Sequence, residues 1–123
     1  MNPSELFDQL VQAAPAFGVV RREHMTDNGE LLSHVLMGDV LRFLESHFSG
    51  KPCVGAEPPT ADQVRAALQV LDRGLAEGDE DTDNAISVSF VESIEHTHFY
   101  LQLEPFLGPE IRKEIQRQKD WRP

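Results

Sequence analysis

The sequence predicts an all-α fold: a single-domain bundle of five to six helices spanning residues 1–123. Three observations carry that expectation. Apolar residues recur every three to four positions in several segments. Helix-start signatures stand ahead of two of those segments. The one stretch that alternates like a strand has no second strand in the chain to pair with. The 123 residues suit one domain, and a chain of that size hides roughly two-thirds of its unfolded surface.

Asn2-Pro3-Ser4-Glu5 opens the first helix, with Pro3 at the first helical position, where its missing N–H is not needed. Leu6, Leu10 and Ala13 or Ala14 follow at helical spacing, and Pro15 ends the segment. Residues 16–29 read as a connector closed by the turn chemistry of Thr26-Asp27-Asn28-Gly29. Residues 30–48 carry a wide apolar stripe: Leu31, Leu32, Val35, Leu36, Val40, Leu41, Phe43, Leu44 and Phe48. Such breadth implies a central helix. Gly38 inside it costs about 1 kcal/mol of helix propensity and is expected to mark the close approach of a neighbouring helix.

Ser49–Pro59 is rich in Gly and Pro and reads as a loop. Thr60 with Gln63 matches a capping box, and Val64, Ala67, Leu68, Leu71 and Leu75 continue a helix to Gly78. Asp79–Asp83 reads as an acidic turn. In Ala85–Ile94, Ile86, Val88 and Phe90 alternate like a strand, whereas Ile86, Phe90, Val91 and Ile94 fit a helix. The absence of a partner strand favours the helix. His98–Leu107 is expected to be a short helix or turn around Pro105, and Glu110–Lys119 a last helix burying Ile111 and Ile115. The seven Phe residues fall mostly on apolar stripes and are assigned to the core. Trp121, within Lys119–Pro123, is expected to dock back onto the body; the alternative is an anchor for a partner.

The 21 acids and 11 bases give a net charge of −10, and the imbalance is local. Residues 1–73 are net −4, residues 112–123 net +3, and residues 74–111 hold nine acids and no Lys or Arg. Those acids include Glu77, Asp79, Glu80, Asp81, Asp83, Glu92 and Glu95. Two readings compete. One is a solvated segment with acids favoured at a helix N-terminus. The other is a docking face for a basic protein, using those seven residues. A charge of this sign argues against direct contact with nucleic acid or an anionic membrane, because phosphates need Lys and Arg. No apolar run approaches the ~18 residues of a membrane span and no leader-like segment opens the chain, so a cytoplasmic location is expected. Cys53 stands alone, which excludes an internal disulfide and a Cys-based zinc site.

Signatures of catalysis are missing. No glycine loop for phosphate and no Gly-x-Ser-x-Gly context occurs. Cys53 has no His near it in sequence and reads as an incidental half-buried thiol. A non-enzyme without a cofactor is expected. The chemical alternative is a metal-binding protein or enzyme. Glu95 and His98 have the i, i+3 spacing of helical di-metal carboxylate proteins. Glu92 lies one turn back, and Glu30, His34 and Asp39 stand on the long helix. Only one Glu-x-x-His pair is present where such sites use two.

Three blocks carry a resemblance: Leu31-Leu32-Ser33-His34-Val35-Leu36-Met37-Gly38-Asp39-Val40, Ile86-Ser87-Val88-Ser89-Phe90-Val91-Glu92 and Leu107-Gly108-Pro109. They resemble motifs of small, uncharacterised bacterial helical proteins that look like immunity proteins of toxin systems. The resemblance implies a helical fold and a protein that neutralises a cognate toxin by binding it, with no catalytic residue to carry over. The expectation is therefore an immunity protein with a basic toxin domain as partner. A second alternative is an acidic mimic of nucleic acid that occupies a nuclease or CRISPR-type complex.

Overall fold

The computed structural model describes residues 1–121; Arg122, one of the bases of the C-terminal segment, and Pro123 lie outside the described residues. Of the described residues 76% are helical, none forms a strand, and the helices number seven rather than five to six. They are α1 (Pro3–Ala13), α2 (Phe17–Asn28), α3 (Ser33–Ser49), α4 (Ala61–Glu77), α5 (residues 80–94), α6 (residues 100–106) and α7 (Pro109–Trp121). All seven contribute to one apolar core, from Leu6 and Phe7 of α1 to Ile111 and Ile115 of α7. Among the described residues no helix is long and apolar enough to cross a membrane.

Local chemistry starts the helices where the sequence indicates. The Asn2 side chain accepts the Glu5 N–H at 2.9 Å, and Glu5 reaches back to the Asn2 N–H. Thr60 and Gln63 exchange the same pair of bonds at the head of α4, at 3.2 and 3.0 Å. Phe7, Phe17, Phe43, Phe90 and Phe99 are buried. Phe48 stacks on Phe99, just ahead of α6, with ring centres 5.7 Å apart, and meets Phe106 of α6 edge-on at 6.3 Å, which closes α6 onto α3. Cys53 is buried in the α3–α4 loop, and burial, aided by Asp39, pushes its thiol above the ordinary range.

The extra helix is α2, where a connector was expected. Its buried positions are Phe17, Gly18, Val20 and His24. A histidine thus occupies the place where an apolar residue would have completed the stripe. The ring is satisfied internally: Nε2 accepts the Leu32 N–H at 3.0 Å, just ahead of α3, which has no side-chain cap of its own. Asn28 donates to the His24 carbonyl at 2.8 Å. Gly29, at φ 71°, then ends the helix in the left-handed conformation. The expected turn at residues 26–29 is therefore the terminus of a helix.

Gly38 does not mark a close approach. A Cβ there would meet only the Arg42 guanidinium, at 3.6 and 3.8 Å. The tight crossing is at Gly74 instead. A Cβ at that position would lie 2.6 Å from Ile86 Cδ1 and 3.2 Å from Leu6 Cδ1, where α1, α4 and α5 meet.

Residues 85–94 are helical, with Ile86, Phe90, Val91 and Ile94 buried and Val88 exposed. The helix is not uniform. It runs as α over Glu80–Ile86, as π over Ser87–Val91 and as α again over Glu92–Ile94. Neighbouring elements hold the π segment. Gln118 of α7 donates to the Ser87 carbonyl at 3.0 Å, and His34 of α3 lies 2.7 Å from Ser89 Oγ. Such insertions are frequent at functional sites.

Trp121 does not dock back. It is 81% exposed at the end of α7. The start of α7 is secured from outside the helix, because the Asp72 carboxylate of α4 accepts the Ile111 N–H at 2.9 Å.

Candidate functional site

The acidic segment is not a turn but the head of α5. Asp79 is the N-cap, accepting the Thr82 N–H at 2.8 Å, and Glu80, Asp81 and Asp83 fill the first turn. The Thr82 hydrogen bonds hold the Asp79 carboxyl below the usual carboxylate range. Acids here complement the positive end of the helix. Helix stability therefore explains part of the cluster, and Asp79 in particular.

Four of the seven acids singled out in the sequence come together. Glu80, Asp81, Asp83 and Glu92 line an open groove of about 690 Å³ between α5 and the C-terminal half of α7. Glu77 and Asp79 are exposed outside it. Glu95 also lies outside it, half-buried, with its carboxylate 3.8 Å from Lys119 Nζ. The rest of the lining is Asn84, Ser87, Arg117, Gln118 and two apolar residues not expected at the site, Val88 and Trp121. Val88 is 42% exposed. It is the apolar residue left over once the helical stripe of residues 85–94 is drawn, and that was the available signal. Nothing in the sequence signals that Trp121 of α7 lies across from it.

The basic segment expected at the C-terminus folds back beside the acidic one, but its described cations are already engaged. Arg117 forks onto Glu114 through Nε at 3.0 Å and Nη2 at 2.6 Å. Arg112 pairs with Glu104, Lys113 with Glu110 and Lys119 with Glu95. Burial pushes the Glu114 carboxyl up, but the hydrogen bonds from Arg117 and Gln118 outweigh it and leave the group below its ordinary range. Among the described residues, none of Glu80, Asp81, Asp83 and Glu92 forms an ion pair with Lys, Arg or His. Arg117 reaches the groove wall, yet its guanidinium is held by Glu114.

The residues of the metal alternative stay apart. α5 ends at Ile94, so Glu95 and His98 do not share a helix face. His34 contacts Ser89, and Asp39 is paired with Arg42. Among the described residues no three His, Cys, Asp or Glu side chains gather as a ligand set.

A family model described as a domain of unknown function, DUF7674, matches residues 7–122, nearly the whole chain, and the chain belongs to that family. No curated protein and no solved structure matches it.

Proposed function

We propose that this DUF7674 member is a binding protein rather than an enzyme, and that it captures a basic protein in the groove between α5 and α7. We further propose that the partner is a toxin domain, which the chain neutralises as an immunity protein. One observation carries the reading. Four carboxylates without an ion pair among the described residues line one groove with exposed Val88 and Trp121. Like charges held close together cost stability, and exposed apolar side chains beside charged ones match the anchor-and-rim pattern of protein interfaces.

The mechanism is physical. The negative field speeds encounter with a positive surface. Removal of Val88 and Trp121 from water then slows dissociation. The partner is silenced by being covered, with no bond made or broken.

The test has two arms. In the first, each basic protein encoded beside this gene is expressed with and without the chain. Restored growth supports the toxin reading; unrelieved toxicity, or a harmless product, removes it. In the second, association rates of the same pair are measured across salt for wild type and for the combined variant Glu80→Gln, Asp81→Asn, Glu92→Gln. Asp79 is left intact because it caps α5. Association should slow by about tenfold and lose most of its salt dependence. Rates identical to wild type at every salt concentration would place the interface elsewhere.

A further inference from the structure

We propose that the docking surface continues over α5 into a second groove, and that this groove receives one apolar side chain from the same basic partner segment. The proposal rests on the docking reading above and specifies the partner: a segment with cations on one side and an apolar anchor on the other.

The second groove, of about 420 Å³, is walled by Pro3, Leu31, Leu32 and Val35, with Ser33 and His34 as polar members of the same wall. It shares Asp81 and Asn84 with the acidic groove, so the two hollows flank one ridge. Val35 is 50% exposed there, a large fraction for a valine in the first turn of a core helix. A purely apolar ligand would meet the Asp81 carboxylate at the rim. A purely cationic one would leave Val35 and the two leucines in water. A basic amphipathic segment satisfies both walls at once.

The walls are also pre-set. Leu32 is fixed by the bond from its N–H to His24, and the head of α3 is tied to the π segment through His34 and Ser89. A groove held in this way loses little freedom when it is filled.

Two short synthetic peptides of equal charge test the idea: one of Lys and Ala only, the other with a single central Phe. Each is titrated into isotope-labelled protein at low salt and followed by NMR. The Phe peptide should bind roughly tenfold or more tightly and shift the amides of Leu31, Leu32 and Val35. Val35→Ser, an exposed change that leaves the core alone, should erase that gain and leave the Ala peptide unaffected. Equal affinity of the two peptides overturns the proposal, as does a gain that survives Val35→Ser or depends on Trp121 instead. If both peptides bind equally and both are lost in the Glu80→Gln, Asp81→Asn, Glu92→Gln variant, the acidic docking reading stands without this extension. If neither binds, both readings fall.

Discussion

α7 forms one side of the acidic groove, and its seat on α4 can be broken at one atom. Gly108, the residue ahead of α7, has no side chain with which to cap it. Asp72 of α4 supplies the cap, with Oδ1 2.9 Å from the Ile111 nitrogen. Losing a side-chain cap costs about 0.5–2 kcal/mol, and losing a negative charge at a helix N-terminus about 0.3–1 kcal/mol more. Alanine is a better helix former than Asp by roughly 0.6 kcal/mol, which offsets part of this within α4. Asp72→Ala should therefore destabilise the fold by about 1–2 kcal/mol, and Asp72→Asn, which keeps an acceptor, by less than 1 kcal/mol. Gly108 has no positive φ, so its need for glycine is spatial: a Cβ would lie 2.6 Å from the Asp72 carboxyl carbon. Gly108→Ala should cost about 1–3 kcal/mol in the wild type and much less once Asp72 is Ala. Urea denaturation of the four proteins of this cycle gives the coupling. Additivity within about 0.5 kcal/mol, or a neutral Asp72→Ala, would refute the assignment of Asp72 as the cap of α7.

Two other outcomes follow from the same structure. His24→Leu keeps the core position filled but strands the Leu32 N–H, and should lower stability by about 1–2 kcal/mol, with His24→Gln recovering part of the loss; a thermal midpoint unchanged in His24→Leu would contradict the role given to that bond. Asp79 and Glu114 are both held below the ordinary carboxylate range in the folded state. The stability they contribute is present above the unfolded value of about 4 and disappears as pH falls through their lower folded values. The melting temperature should accordingly hold from neutral pH to about 5 and fall below about 4, with a smaller fall in Asp79→Asn, Glu114→Gln than in wild type; an equal fall in both proteins would assign the acid sensitivity to other groups.

What could be read from the sequence is what local chemistry decides. The caps at Asn2 and Thr60 and the stripes of α4 and α7 involve residues within one or two turns of each other, and the structure has them where they were expected; the stripe of α3 holds from Leu36 onward, whereas Leu31 and Leu32 precede the helix and Val35 is exposed. The stretch 85–94 is helical because Ile86, Phe90, Val91 and Ile94 are all buried. Its π segment is contacted by Gln118 and His34, from distant parts of the chain. α2 lacks a clear apolar stripe because His24, satisfied by Leu32 and Asn28, takes the place of an apolar residue. Gly38 and Gly74 both sit inside helices, and only the tertiary crossing of α1, α4 and α5 shows which one needs to be small. The acids of the site could be seen as a run. Their separation into a cap, a groove lining and an ion pair, and the arrival of Val88 and Trp121 among them, are products of packing.

Helix electrostatics and partner docking both place acids at the head of α5, and Glu92 separates the two. Glu80, Asp81 and Asp83 lie where the helix dipole welcomes negative charge; Glu92 lies in the last turn of the same helix, where the dipole opposes it by about 0.3–1 kcal/mol. If the cluster served only the helix, an acid at position 92 would have no use. If it serves a partner, Glu92 is the far end of the groove and its cost to the fold is offset on binding. The two single neutralisations should then move stability in opposite directions and affinity in the same one. Asp81→Asn should lower stability slightly and Glu92→Gln raise it slightly, each by less than about 1 kcal/mol, while both weaken capture of the basic partner. Such a trade of stability for binding is a mark of a functional residue. Denaturation midpoints and partner dissociation constants for the two variants decide the matter: a Glu92→Gln protein that is more stable and binds as well as wild type would return the acidic cluster to helix electrostatics alone.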